Sequence, residues 1–148
     1  MKKVAIVTHC IANNFGANLQ ALSTACYLKE HQYEPVFITW GDYLSNNTPR
    51  EQVEMHTTFL RKNDFVVSAP CHTAEDFLNV IAQHDIRNVI VGSDCVLTYR
   101  SQRFPYVLTR RGFKKVEIPA DYNFPNPFWL PYLKGRKDIH RFLMSASC

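Results

Sequence analysis

Short runs of uninterrupted apolar residues recur along this chain: Val4-Ala5-Ile6-Val7, Pro35-Val36-Phe37-Ile38 with Thr39 after it, and Val89-Ile90-Val91. Helical segments stand between them. A strand that alternates apolar and polar residues buries one face, whereas a strand apolar throughout buries both. Strands buried on both faces belong to parallel sheets with helices on each side, so the pattern predicts an α/β chain. The first two runs enclose a helix of about Ala17 to His31, a strand–helix–strand unit whose crossover should be right-handed. Leu19, Leu22 and Cys26 fall at helical spacing and form its apolar stripe, with Ala21, Ala25 and Leu28 adjoining.

Local signals mark two further helices. Thr48-Pro49-Arg50-Glu51 predicts a start with Thr48 as cap, Pro49 in the first turn and Glu51 closing a capping box. Thr73-Ala74-Glu75-Asp76 predicts another, with Asp76 as the capping-box acid and Phe77, Leu78 and Ile81 as its stripe. Phe65-Val66-Val67 is a short extended piece, and Phe142-Leu143-Met144 reads as a fourth strand. Between them, residues 99–127 lose the pattern and read as one long basic connection.

The 148 residues suit a single domain, and 46% hydrophobic with 20% charged residues is ordinary globular composition. No apolar run reaches the roughly 20 residues of a membrane span. The N-terminal apolar core is four residues, shorter than the roughly seven of a signal peptide. A cytoplasmic location is expected. The fourth strand runs straight into Ser145-Ala146-Ser147-Cys148 with no helix to cover it, so the domain, 1–148, is expected to be truncated. The cysteines (10, 26, 71, 95 and 148) are odd in number and lack CxxC spacing, which predicts free thiols and no metal site.

Charge is uneven. Residues 1–62 carry six Lys/Arg and five Asp/Glu, residues 63–98 one and five, and residues 99–148 ten and three. The basic third could meet phosphate or an acidic glycan. Its aromatics do not recur at nucleic-acid-motif spacing, so no nucleic-acid partner is expected.

Ligands of open parallel sheets sit outside the carboxyl ends of the strands. Three segments reach that edge: 9–18, 92–95 and 145–148. The first leads into a helix whose N-terminal N–H groups favour an anion. Gly16 lets backbone approach a ligand, and Asn13, Asn14 and Asn18 offer neutral donors and acceptors. Neither GxGxxG nor a Walker A motif occurs. His9, ending the first strand, and Asp94, after the Gly92-Ser93 turn, are the acid/base candidates.

Taken in order, Lys3-Val4-Ala5-Ile6-Val7-Thr8 and Asn14-Phe15-Gly16-Ala17-Asn18-Leu19-Gln20-Ala21-Leu22 resemble the N-terminus of the polysaccharide pyruvyl transferase family, with its N-Y-G-A-x-L-Q-A-type stretch. Val91-Gly92-Ser93-Asp94 is similar to the family's V-G-S-D-Q-x-W segment, with Cys95-Val96-Leu97 in place of Q-x-W. Asn126-Pro127-Phe128-Trp129-Leu130 and Met144-Ser145-Ala146-Ser147 resemble its N-P-F and S-Y-A-A-S elements.

The resemblance implies one Rossmann-like half of a two-domain, GT-B-like transferase, with the C-terminal half absent. Such enzymes move the pyruvyl group of phosphoenolpyruvate, a donor substrate and not a cofactor, onto a sugar of a cell-surface polysaccharide. By resemblance Asn14, Gly16, Ala17, Gln20, Gly92, Ser93 and Asn126 join Asn13 and Asn18 as substrate-binding positions, and Asp94 joins His9 as catalytic. Arg100, Arg103, Arg110 and Arg111 could supply charge to an anionic acceptor. The alternative is a non-catalytic sugar- or nucleotide-binding α/β module.

Overall fold

The computed structural model describes residues 1–8, 15–40, 49–92, 96–97, 106–115 and 126–144. Its centre is a sheet of five strands: β1 (Lys2–Val7), β2 (Tyr33–Ile38), β3 (Val66–Val67), β4 (Asn88–Gly92) and, after the two strands of a separate ribbon, β7 (His140–Met144). The order is β3-β2-β1-β4-β7, and every pairing is parallel. The strand order reverses between β1 and β4, as in doubly wound Rossmann-like sheets. The chain is therefore α/β with a parallel sheet flanked by helices.

The apolar runs fill two cores, one on each side of the sheet. Val4, Ile6 and Phe37 point to the face covered by α1 (Phe15–Glu30) and α2 (Arg50–Lys62), where they meet Ala21, Ala25, Leu28, Leu60 and Phe65. Ala5, Val7, Val36, Ile38, Val89 and Val91 point to the face covered by α3 (Ala74–Gln83) and by residues 127–133. Two short 3₁₀ turns, Pro127–Trp129 and Pro131–Leu133, bury Phe128 and Leu133 there. Tyr132 stacks on Trp40, with centroids 5.5 Å apart, and meets Phe77 at 5.7 Å, tying the second turn to the end of β2 and to α3. Leu130 joins the two turns in the left-handed conformation, φ 53°. A leucine tolerates that strain because its side chain is held in the core at 3% exposure.

α3 starts as its sequence predicts. Thr73 Oγ1 accepts from the Asp76 N–H at 3.1 Å, and Asp76 Oδ2 accepts from the Thr73 N–H at 2.9 Å, a complete capping box. Phe77 and Ile81 are its buried residues. Three other expectations need correction. First, the buried stripe of α1 is Ala17, Ala21, Thr24, Ala25 and Leu28, while Leu19 is 50% exposed and Cys26 is exposed. Ala21, Ala25 and Leu28, expected beside the stripe, are the ones that meet the sheet, with Leu22 partly buried against them. Second, Pro49 occupies the N-cap of α2 with no side-chain cap, so Glu51 sits one place too early to close a box; Thr48 lies outside the described residues.

Third, residues 99–127 contain regular structure. β5 (Tyr106–Thr109) and β6 (Gly112–Lys115) pair antiparallel as a ribbon separate from the main sheet. Gly112, at φ +110°, turns the chain where a side chain would be strained. Thr109 Oγ1 donates to the Gly112 carbonyl at 2.7 Å and accepts from the Arg111 N–H at 3.3 Å, which locks the turn. No helix among the described residues is long and apolar enough to cross a membrane.

Candidate functional site

Parallel strands deliver the turns at their carboxyl ends to one edge, so the ends of β1 and β4 and the start of α1 meet there. Thr8 comes directly after β1 and is 7% exposed. Its Oγ1 donates to the Gly92 carbonyl at 2.6 Å, pinning the ends of β1 and β4 together where the strand order reverses. In open parallel sheets such a reversal marks the place where ligands sit. α1 points its N-terminus toward this edge, and its first turn carries no acidic residue. A helix N-terminus carries about half a positive charge, which suits phosphate or carboxylate.

Gln20, Thr24 and Ala21 of α1 face Thr8, Ile90 and Gly92 across a void of about 10 Å³, roughly the room one water needs. Two expected substrate-binding positions, Gln20 and Gly92, are therefore brought together. Gly16 is exposed in the first turn of α1, and Ala17 beside it is buried against the sheet. Asn18 is half-buried, and its side-chain amide lies 2.7 Å from His56 Nδ1 of α2, within hydrogen-bonding distance. Asn126 is only 1% exposed, and its Oδ1 accepts from the Phe128 N–H at 2.8 Å to cap the first 3₁₀ turn. His9, Asn13, Asn14, Ser93 and Asp94 lie outside the described residues, as do Arg100, Arg103, Ser145, Cys10, Cys95 and Cys148.

Gly92 has a structural need of its own: a Cβ there would run into the Met144 carbonyl of β7. The resemblance names Gly92 as a substrate-binding position, but nothing in the sequence assigns a role to Thr8, which bonds its carbonyl, or to His56, which lies against Asn18. The sequence signal for Thr8 is its position, a hydroxyl immediately after the apolar run Val4 to Val7.

A second, larger cleft lies at the opposite, amino edge of the sheet. Its volume is about 720 Å³, and it is lined by Lys2, Lys3, Arg87 and His140 among others. Arg87 there holds Asp138 at 3.0 Å and Asp85 at 3.2 Å. Hydrogen bonding from Arg136 holds the Asp138 carboxyl well below the usual carboxylate range. Cys71 is 1% exposed at the end of the strand-like segment beside Trp40, and burial, reinforced by Asp76, pushes its thiol up to about 11. It and Cys26 are both free.

No protein-family model matches the chain, and no curated protein matches it significantly.

Proposed function

We propose that this chain is the Rossmann-like N-terminal half of a GT-B-like enzyme of the polysaccharide pyruvyl transferase kind, moving pyruvyl from phosphoenolpyruvate to a sugar acceptor. The observation that supports this reading is that Gln20 of α1 and Gly92 lie together beside Thr8, at the carboxyl ends of β1 and β4 where the strand order reverses. That edge favours an anion through backbone dipoles and offers neutral amides for hydroxyls. The four short motifs that resemble the family supply the reaction.

The chemistry needs an acid to protonate the enol carbon of the donor. Two sugar oxygens then bond to the adjacent carbon, the carbon–oxygen bond to phosphate breaks, and a base collects the hydroxyl protons. His9 and Asp94, each two residues past the end of its strand (β1 and β4), are assigned these proton transfers. A closed cleft between two domains would bring the remaining groups to the reacting atoms.

The test is a transfer assay on the full-length gene product with phosphoenolpyruvate and a glycan panel, reading ketal by mass spectrometry. Ketal and phosphate should form together, should fall at least about 100-fold in His9→Ala or Asp94→Asn, and should be absent with residues 1–148 alone. Sugar or nucleotide binding without any ketal would favour the alternative, a non-catalytic binding module.

A further inference from the structure

We propose that the β5–β6 ribbon is a peripheral membrane anchor that lies on the surface of an anionic phospholipid bilayer. The inference stands on the ribbon alone and is independent of the reaction proposed above. Cross-strand pairing sets Leu108 opposite Phe113 and Tyr106 opposite Lys115, so Tyr106, Leu108 and Phe113 share one face of the ribbon. They are 56%, 71% and 79% exposed. An apolar cluster of this kind on a two-stranded ribbon would ordinarily be packed against a core. The turn and the locked Thr109 hydroxyl hold the ribbon in shape instead.

Charge selects the partner. Residues 106–115 carry Arg110, Arg111, Lys114 and Lys115 and no acidic residue. Arg110 and Arg111 form the turn, and Lys115 ends the apolar face. A large apolar face bordered by cations is the pattern that inserts side chains to the acyl boundary while the cations reach lipid phosphates. A second copy of this chain would bring the same four cations against each other. Nucleic acid would use the aromatic rings but draw nothing from Leu108, which is aliphatic and among the more exposed of the three.

Co-sedimentation of the chain with vesicles tests this. Vesicles of phosphatidylcholine containing phosphatidylglycerol should bind it at low ionic strength and release it as salt rises, and vesicles of phosphatidylcholine alone should bind far less. Arg110→Gln with Arg111→Gln should lower partitioning about 30-fold, roughly fivefold per charge. Leu108→Ser with Phe113→Ser should lower it at least about tenfold with all four charges kept. Circular dichroism should be unchanged in both variants. If the apolar pair disturbs folding, the arginine pair and the neutral-vesicle comparison still decide. The proposal is overturned by equal binding to neutral and anionic vesicles, by no binding to either, or by undiminished binding of the serine variant. A self-associated dimer that the serine variant dissolves would also overturn it, assigning the face to a second copy.

Discussion

The central sheet and the β5–β6 ribbon are both ladders of hydrogen bonds, yet they are ordered by different forces. In the sheet, β1, β2 and β4 are apolar on both faces, and Ala5, Phe37 and Val89 have no exposure at all. Solvent exclusion on each side holds those strands in register. In the ribbon every described side chain is exposed, and local turn chemistry at Thr109 and Gly112 fixes the pairing. Substitutions in the sheet should therefore cost stability, and substitutions in the ribbon should change what the molecule meets and leave stability alone.

The sharpest break of that contrast is Phe77→Ala. The ring is 1% exposed between the sheet and Tyr132, and its loss should cost about 3–5 kcal/mol in urea unfolding. Next comes Gly92→Val, which drives a branched side chain into the Met144 carbonyl. About 1–3 kcal/mol should be lost, and hydrogen exchange should speed up at β7 first, because that strand is displaced. Thr73→Ala removes half of the capping box and should cost about 1 kcal/mol.

The same box gives a pH dependence. Hydrogen bonds from the backbone of His72 and from Thr73 hold the Asp76 carboxyl below its ordinary 3.8. The stabilisation is therefore full above that value and disappears as pH falls through the lowered one. Asp76→Asn should flatten that acid limb of a stability–pH curve. The smallest effect belongs to the ribbon: Phe113→Ser should move the unfolding midpoint by less than the equivalent of about 0.5 kcal/mol. A larger loss would mean that the ribbon packs on the body and is not a free surface.

The sheet and α3 were legible because their causes are local. Apolar runs such as Val4 to Val7 announce burial on both faces, and the Thr73/Asp76 pair closes its box within a single turn. In α1 the adjoining residues Ala21, Ala25 and Leu28 are buried as expected, while Leu19 and Cys26 are exposed, because the small side chains allow the closer approach to the sheet. The ribbon escaped notice because Tyr106, Leu108 and Phe113 have no core to bury them, so alternation carried no expectation of inside and outside. At the candidate site, Gly92 and Gln20 are named by the family resemblance alone, and they line one small void. The Thr8–Gly92 and Asn18–His56 bonds could not be read from the sequence, since each joins distant parts of the chain.

β1 lies in the middle of the sheet although it is made first, and this governs how the chain can assemble during synthesis. One side of β1 can pair as soon as β2 emerges, but its other side waits for β4; Thr8 and Gly92 are 84 residues apart. Throughout that interval the nascent chain presents an apolar strand with an open row of N–H and C=O groups, the arrangement most prone to pairing with the wrong chain. A ribosome pausing before Asn88 prolongs the hazard, and the arrival of one short strand, β4, ends it.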